Sequence, residues 1–128
     1  MLRKQRGSVS DLKVHLVFTT KYRRKIFTRR SLNLIKCSFE NVARKMNFKT
    51  IEFNGEKDHI HLIIEYPPKL SISKIANSLK GVSSRNYSLA GFRKPHKTHL
   101  WSPSYFVASV GGAPLKILRR YIKNQKSP

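Results

Sequence analysis

Residues 58–64 read Asp-His-Ile-His-Leu-Ile-Ile, an apolar run in which two histidines alternate with aliphatic side chains. Alternation with a period of two is the pattern of a β-strand, so His59 and His61 are predicted to leave the same face. Their Cα atoms would lie about 6.6 Å apart, and both imidazoles could converge on one ion. The aliphatic side chains would leave the opposite face and enter the core. The run therefore predicts a strand that carries half of a metal site.

The composition indicates one folded domain with a polyanionic partner. Of the 128 residues, 39% are hydrophobic and 10% aromatic, which argues against a disordered chain. Lysine and arginine together number 27 against 6 acidic residues, so the formal net charge is +21. Such an excess repels itself in a folded protein and usually matches a nucleic acid. The charge thus names a class of partner but no activity.

Cysteine usage and hydropathy bound the location of the protein. Cys37 is the single cysteine, so an intramolecular disulfide framework is excluded. No apolar run approaches the roughly 18 residues of a membrane span, and no signal-peptide core follows the basic N-terminus. We therefore expect a cytoplasmic protein with no membrane partner.

Periodicity and breaking residues predict a single domain over residues 1–128, beginning with a basic arm over 1–11 that could be mobile. The elements that follow are a strand over 12–19, a helix over 29–46 with Thr28 as N-cap, strands over 48–53 and 59–66, a helix that begins after Ser71, a strand over 105–110 and a helix over 114–125. Asn54-Gly55 is a strong turn signal between the second and third strands. The order predicts an α+β, ferredoxin-like fold, similar to an RNA-recognition motif, in which an antiparallel sheet packs against helices.

Gly81 lies inside the second predicted helix. A glycine there costs up to about 1 kcal/mol relative to alanine. Either a close backbone approach compensates for this cost, or the helix ends early.

Basic residues in two loops and on one helix are candidates for contact with nucleic acid. They are Lys21, Tyr22, Arg23 and Arg24 after the first strand, Lys80 and Arg85 on the outer face of the second helix, and Arg93 and Lys94 in the loop over 91–103. The cations could contact phosphates, and Tyr22 could offer a stacking ring. A solvated run of charge is the competing interpretation, and both stay open.

Asp58 and the remaining histidines have plainer interpretations. Asp58 could orient a neighbouring histidine by accepting a hydrogen bond, or it could simply end the turn. His15 lies on the less apolar face of the first strand and is interpreted as a structural histidine. His96 and His99 are interpreted as structural or DNA-contacting residues rather than metal ligands.

Tyr121 and Gln125 are spaced i to i+4 in the helix predicted over 114–125. At 100° per residue they lie about 40° apart, beside the core stripe. On this helix alone, an amphipathic tyrosine and a solvated glutamine are the simplest interpretation. An amide oxygen can nevertheless bind a hard divalent cation, and a phenol can act as a nucleophile. The functional interpretation gains weight only if this edge faces His59 and His61.

The ordered set of motifs resembles the single-tyrosine HUH transposases of small bacterial and archaeal insertion sequences. The resemblance rests on His59-Ile60-His61 and Tyr121-Ile122-Lys123-Asn124-Gln125, with support from residues 20–24, 66–73, 79–85, 101–106 and 110–112. A lone His-hydrophobic-His motif is weak evidence, but these segments span nearly the whole chain in the family's order.

The resemblance implies a transposase that cleaves and rejoins single-stranded DNA at the ends of an insertion sequence. His59 and His61 would hold Mg²⁺ or Mn²⁺, with Gln125 as the third protein ligand. Tyr121 would be the nucleophile and would form a 5′-phosphotyrosine with a free 3′-OH. Members of the family act as homodimers in which the tyrosine helix of one protomer can complete the site of the other. They recognise DNA hairpins at the element ends.

Two other functions stay open. A non-catalytic RNA- or DNA-binding module would share the order of strands and helices. It would leave the paired histidines without a role, and the aromatic run typical of an RNA-recognition motif is missing. A metal phosphodiesterase that uses water instead of tyrosine would use the histidines but form no covalent adduct.

Overall fold

The structure is a computed structural model, and it describes residues 3–5, 8–10 and 12–110. In chain order its elements are β1 (Arg3–Gln5), β2 (Ser8–Ser10), β3 (Leu12–Thr19), α1 (Arg29–Met46), β4 (Lys49–Gly55), β5 (His59–Tyr66), α2 (Ile72–Leu89) and β6 (Phe106–Ser109). A short 3-10 turn spans Lys21–Arg23. The helix predicted over 114–125 lies outside the described residues, together with Tyr121 and Gln125.

The main sheet has four strands in the order β4-β5-β3-β6, and each adjacent pair is antiparallel. This order, with α1 between β3 and β4 and α2 between β5 and β6, confirms the predicted α+β, ferredoxin-like fold. β1 and β2 pair with each other in a separate two-stranded sheet. That pairing falls within the segment assigned to a basic arm, and it was not predicted.

Both helices pack on one face of the sheet. The core between the sheet and the helices includes the fully buried side chains of Leu16 and Phe18 of β3, Ile60, Leu62 and Ile64 of β5, Ile35 and Phe39 of α1, and Ile75 and Leu79 of α2. The rings of Phe18 and Phe39 meet edge to face with centroids 5.9 Å apart, which ties β3 to α1. Alternation along β5 leaves His59 and His61 on the face opposite the helices.

Both helices begin at the predicted caps. Thr28 and Ser31 form a capping box: the Ser31 N–H donates to Thr28 Oγ1 at 3.2 Å, and the Thr28 N–H donates to Ser31 Oγ at 2.8 Å. At α2, the Lys74 N–H donates to Ser71 Oγ at 3.2 Å. The two helices have 18 residues each. None of the helices in residues 12–110 could span a lipid bilayer.

The predicted turn at Asn54-Gly55 is wrong. Both residues belong to β4, where Gly55 pairs with Ile60, and the chain reverses over residues 56–58. A Cβ added at Gly55 would come within 2.5 Å of Leu32 Cδ2. The glycine therefore permits the close approach of α1 and does not make the hairpin turn.

The early end of the second helix, one of two alternatives raised by Gly81, is also wrong. α2 continues through Gly81 to Leu89. A close backbone approach, the other alternative, is not found in the described residues either, since a Cβ added at Gly81 would meet no atom within 4 Å.

Candidate active site

β5 positions the candidate ligands His59 and His61, because it is an inner strand held on both sides. His59 pairs with Thr19 of β3, and His61 lies between Val17 of β3 and Asn54 of β4. This double pairing resists a one-residue slip, which would turn both imidazoles into the core. The strand and the face predicted for the two histidines are confirmed. Their role as metal ligands stays a prediction.

Asp58 orients His59. The His59 Nδ1–H donates to Asp58 Oδ1 at 2.9 Å, since an ionised carboxylate can only accept. With the proton on Nδ1, the lone pair lies on Nε2 and is available to a metal ion. Of the two roles left open for Asp58, orientation of a histidine has direct geometric support, and the histidine is His59 rather than His61.

Arg23 holds the other oxygen of Asp58. Its Nε lies 3.0 Å and its Nη2 2.9 Å from Asp58 Oδ2. Burial by itself would raise the pKa of Asp58, but the hydrogen bonds and charges of His59 and Arg23 outweigh burial and lower that pKa. Asp58 is therefore ionised at neutral pH. Arg23, predicted to contact DNA, is placed by the structure inside a chain of contacts that ends at His59.

A strained turn brings Arg23 to Asp58. Tyr22 has φ 62° and Arg23 has φ 53°, a left-handed region that costs residues with a Cβ about 1–2 kcal/mol. The chain just before the turn is anchored to two other segments: the Thr20 N–H donates to the Asp58 carbonyl at 2.9 Å, and the Lys21 N–H donates to the Leu100 carbonyl at 2.9 Å. These bonds and the ion pair hold a backbone conformation that the local sequence does not favour.

His15 belongs to the same cluster and is not the isolated structural histidine predicted from its strand. Its Nδ1 lies 2.9 Å from His61 Nε2, and the two rings stack with centroids 5.1 Å apart. Burial lowers the pKa of His61, and interaction with His15 and His59 lowers it further, although the nearby Glu52 carboxylate opposes this shift. Alternation in the sequence indicates which face of β3 carries His15. It does not indicate that His15 pairs with Ile63, which places His15 diagonal to His61.

The donor set suits a divalent ion but is incomplete in the described residues. His59 offers Nε2, while ligation through His61 Nε2 would replace its hydrogen bond to His15. Across residues 12–110, no three His, Cys, Asp or Glu side chains are grouped so as to hold a metal. Gln125, the predicted third ligand, lies outside the described residues, as does the predicted nucleophile Tyr121.

Tyr22 is flanked by the two basic neighbours that the sequence analysis grouped with it. Lys21 Nζ lies 5.2 Å and Arg24 Cζ lies 5.9 Å from the centroid of its ring. The ring of His96 approaches from the loop at 6.4 Å. Cations at the ring of a partly exposed tyrosine combine charge and a stacking surface, which suits an unpaired nucleotide.

The other predicted DNA contacts divide into two groups. Lys80 is internal: its Nζ donates to the carbonyls of Ser102 at 2.8 Å and Pro103 at 3.3 Å, and burial lowers its pKa. Arg85 and Lys94 line one groove, and Lys94 also lines a smaller cavity together with Arg93. His96 and His99 approach each other, with their Nδ1 atoms 3.2 Å apart. The roles of these residues in binding stay predictions.

Comparison with known proteins covers almost the whole chain. The sequence model described as "Transposase IS200 like" matches residues 8–125. The ISDra2 transposase TnpA of Deinococcus radiodurans is 28% identical over 127 residues, which are 97% of this chain and 91% of that protein. The transposase for insertion sequence element IS200 of Salmonella typhimurium is 32% identical over 119 residues, covering 90% of this chain and 77% of that protein.

Solved structures agree with the sequence comparison. A crystal structure assigned as a transposase, also from Deinococcus radiodurans, matches with a TM-score of 0.85 at 27% identity and covers 98% of this chain and 99% of that chain. A REP-associated tyrosine transposase bound to a REP hairpin matches with a TM-score of 0.61 at 15% identity, over 95% of this chain and 68% of that chain, and this likeness shows the fold alone. The resemblance drawn from the ordered motifs is thereby confirmed: the chain belongs to the family of IS200-like transposases.

Proposed function

We propose that this transposase cleaves and rejoins single-stranded DNA at insertion-sequence ends through a 5′-phosphotyrosine on Tyr121. Membership of the family supports DNA transposition as the general function. The observation that supports the proposed cleavage mechanism is the cluster on β5, where two imidazoles share a face and Asp58 orients His59. A binding module without catalysis would have no use for a histidine prepared in this way.

His59 and His61 would hold Mg²⁺ or Mn²⁺, with Gln125 as the third protein ligand. A divalent ion bound there supplies electrostatic stabilisation of the charge that develops on the scissile phosphate. Asp58, kept ionised by Arg23, keeps the proton of His59 on Nδ1 and so directs Nε2 outward. The protein's contribution is this orientation, established before any substrate binds.

Tyr121 supplies the covalent step. Its phenolic oxygen gives up its proton and bonds to phosphorus while the bond from phosphorus to the 3′ oxygen breaks. The 3′ oxygen takes up a proton and leaves as a hydroxyl, so no net proton is consumed or released. The phosphodiester energy is stored in the tyrosyl ester. Attack by a 3′-OH on that ester reverses the step and reseals or joins strands without a nucleotide cofactor.

The substrate is proposed to be single-stranded DNA with hairpins at the element ends. The cation-flanked ring of Tyr22 supports an unpaired substrate, since it follows directly on β3 beside Asp58 and His59. A transposase of the same fold is itself bound to a REP hairpin. We further propose a homodimer in which the tyrosine helix of one protomer completes the site of its partner.

The test is a denaturing gel with the full chain and single-stranded oligonucleotides that span the element ends. With Mn²⁺, we expect a protein–DNA adduct that survives detergent and heat, and excess chelator should abolish it. Cleavage without an adduct would instead indicate a phosphodiesterase that uses water. Binding without cleavage, indifferent to chelator, would indicate a binding module.

Arg23 is expected to support metal binding although it is not a ligand. Replacing Arg23 with Gln removes the positive guanidinium that contacts Asp58 Oδ2. The carboxylate that orients His59 is then held less firmly. We expect Mn²⁺ affinity, measured by calorimetry without DNA, to fall about tenfold, the lower end of effects seen for groups behind metal ligands. Arg23→Lys keeps the positive charge but not the two guanidinium N–H groups that contact Asp58, so its loss of Mn²⁺ affinity should be smaller.

Arg24→Gln is the matched control, because Arg24 is adjacent and exposed and no contact to Asp58 involves it. Its Mn²⁺ affinity should stay at the wild-type value. Nitrogen-15 NMR of the metal-free protein gives an independent readout, since only Arg23→Gln should reduce the fraction of His59 that carries its proton on Nδ1. Equal Mn²⁺ affinities and equal tautomer fractions in the two variants would remove Arg23 from the site.

A further inference from the structure

Gly81 has no packing reason to be a glycine. It lies in the middle of α2, where glycine is a poor helix former, and the helix continues unbroken on both sides. A Cβ added there would meet no atom of the described residues within 4 Å. Gly55 shows the contrast, since its missing Cβ makes room for Leu32. The space beside Gly81 is therefore open in the described part of the protein.

That space is a groove of about 510 Å³ between the second half of α2 and the segment 94–103. Basic side chains of Arg85 and Lys94 line it, and no Asp or Glu does. Leu89 adds an apolar surface that is 79% exposed. The lining thus combines positive charge with an apolar wall and a stretch of bare helix backbone at Gly81.

The wall of the groove opposite α2, formed by residues 101–103, is held to α2 by hydrogen bonds. Trp101 Nε1–H donates to Ser83 Oγ at 2.9 Å, and the Ser83 hydroxyl donates to the Leu79 carbonyl at 2.7 Å. Lys80 secures the same wall through the carbonyls of residues 102 and 103. Buried hydrogen bonds of this kind preform the groove, as is usual for ligand sites.

The groove is connected to the histidine cluster through backbone hydrogen bonds. The Lys21 N–H donates to the Leu100 carbonyl at 2.9 Å, and the Ser102 N–H donates to the Thr19 carbonyl at 2.8 Å. Thr19 in turn pairs with His59. The segment that forms the groove is therefore held directly against the end of β3 and the Tyr22 turn.

We infer that the groove binds an unpaired stretch of the DNA substrate, with phosphates on Arg85 and Lys94 and a nucleobase over Gly81 and Leu89. Positive side chains with no Asp or Glu among the described lining residues favour a polyanion. The apolar surface of Leu89 can contact a nucleobase only if that base is unstacked from its neighbours. The groove's volume of about 510 Å³ lies within the size range of ligand pockets in proteins. The inference rests on the single-stranded substrate of the proposed function.

The test replaces Gly81 with Ala and with Leu. Both substitutions favour the helix, so Gly81→Ala should raise the melting temperature by about 3–5 °C. Both substitutions place side-chain atoms where the base would lie. The affinity for a fluorescent single-stranded oligonucleotide from the element end should therefore fall about tenfold in Gly81→Leu and by less in Gly81→Ala. Fluorescence anisotropy with chelator present measures binding without cleavage. A variant that is more stable but binds more weakly cannot be explained by misfolding.

Asn77→Ala is the matched control, because Asn77 is an exposed α2 residue outside the groove lining and alanine also favours the helix there. It should stabilise the protein and leave affinity unchanged. Arg85→Gln and Lys94→Gln should each weaken binding and reduce the salt dependence by about one phosphate contact.

Wild-type affinity in Gly81→Leu would overturn the inference. So would a change of oligomeric state without a change of affinity, which would make the groove a contact between protein chains. An equal loss on a fully paired duplex would overturn the assignment to an unpaired strand. Because chelator is present, none of these results depends on Tyr121, and the adduct assay on the wild-type chain tests the proposed function separately.

Discussion

Tyr121→Phe should abolish the covalent adduct while leaving DNA affinity within about twofold of wild type. The substitution removes the phenolic oxygen that bonds to phosphorus and keeps the ring. Loss of a nucleophile typically costs a factor of about 1,000 or more in rate. An oligonucleotide labelled at its 3′ end is the substrate to use, because the strand that ends on tyrosine carries the 5′ phosphate. A 5′ label should appear only on the released fragment with the free 3′-OH.

Tyr66→Phe is the matched control, since Tyr66 ends β5 and packs against the core. It should form the adduct at the wild-type rate. Undiminished adduct in Tyr121→Phe would sink the assignment of the nucleophile, whatever the control shows.

The same variant decides between the two arrangements of the tyrosine. Mixed dimers of Tyr121→Phe and His61→Ala contain one intact site if the tyrosine acts on the partner's histidines, and none if it acts within its own chain. Recovery of adduct on mixing would support the partner arrangement, and continued inactivity would support the other.

His59→Ala and His61→Ala should each abolish cleavage dependent on Mn²⁺ and lower Mn²⁺ affinity by about 100-fold or more. Each substitution removes one of the two imidazole ligands proposed for the ion, and two remaining donors bind a hard cation poorly. DNA binding in chelator should persist, because the basic groove and the Tyr22 loop are untouched. Calorimetry with Mn²⁺ and the adduct assay give the two readouts.

His96→Ala provides the comparison. His96 and His99 also place two imidazoles close together, with Nδ1 atoms 3.2 Å apart, but the hydrogen bonds of this pair run to Thr98 instead of to a carboxylate. Mn²⁺ affinity should be unchanged in this variant. A loss as large as that of His59→Ala would move the ion to the loop and contradict the site on β5.

Local features of the fold were accessible from the sequence because short-range physics sets them. Thr28 caps α1 through a residue three positions away, and β5 shows its alternation within eight residues. Gly55 was misassigned because its role depends on Leu32 of a packed helix, a contact that no turn statistic contains. Nothing near Lys80 in the sequence indicates its hydrogen bonds to the carbonyls of residues 102 and 103, and its contact with DNA stays a prediction.

The sequence by itself determined which histidines share a face, since alternation belongs to the strand backbone and needs no partner. It also determined the family, through motifs spread in order along the chain. Only the tertiary structure decided how the imidazoles are held. Arg23 reaches Asp58 across 35 residues and His15 reaches His61 across 46. The contact of His15 depends on strand register, and the contact of Arg23 depends on a left-handed turn. Both form only when the sheet is assembled, because the turn is held by hydrogen bonds to residues distant in the sequence.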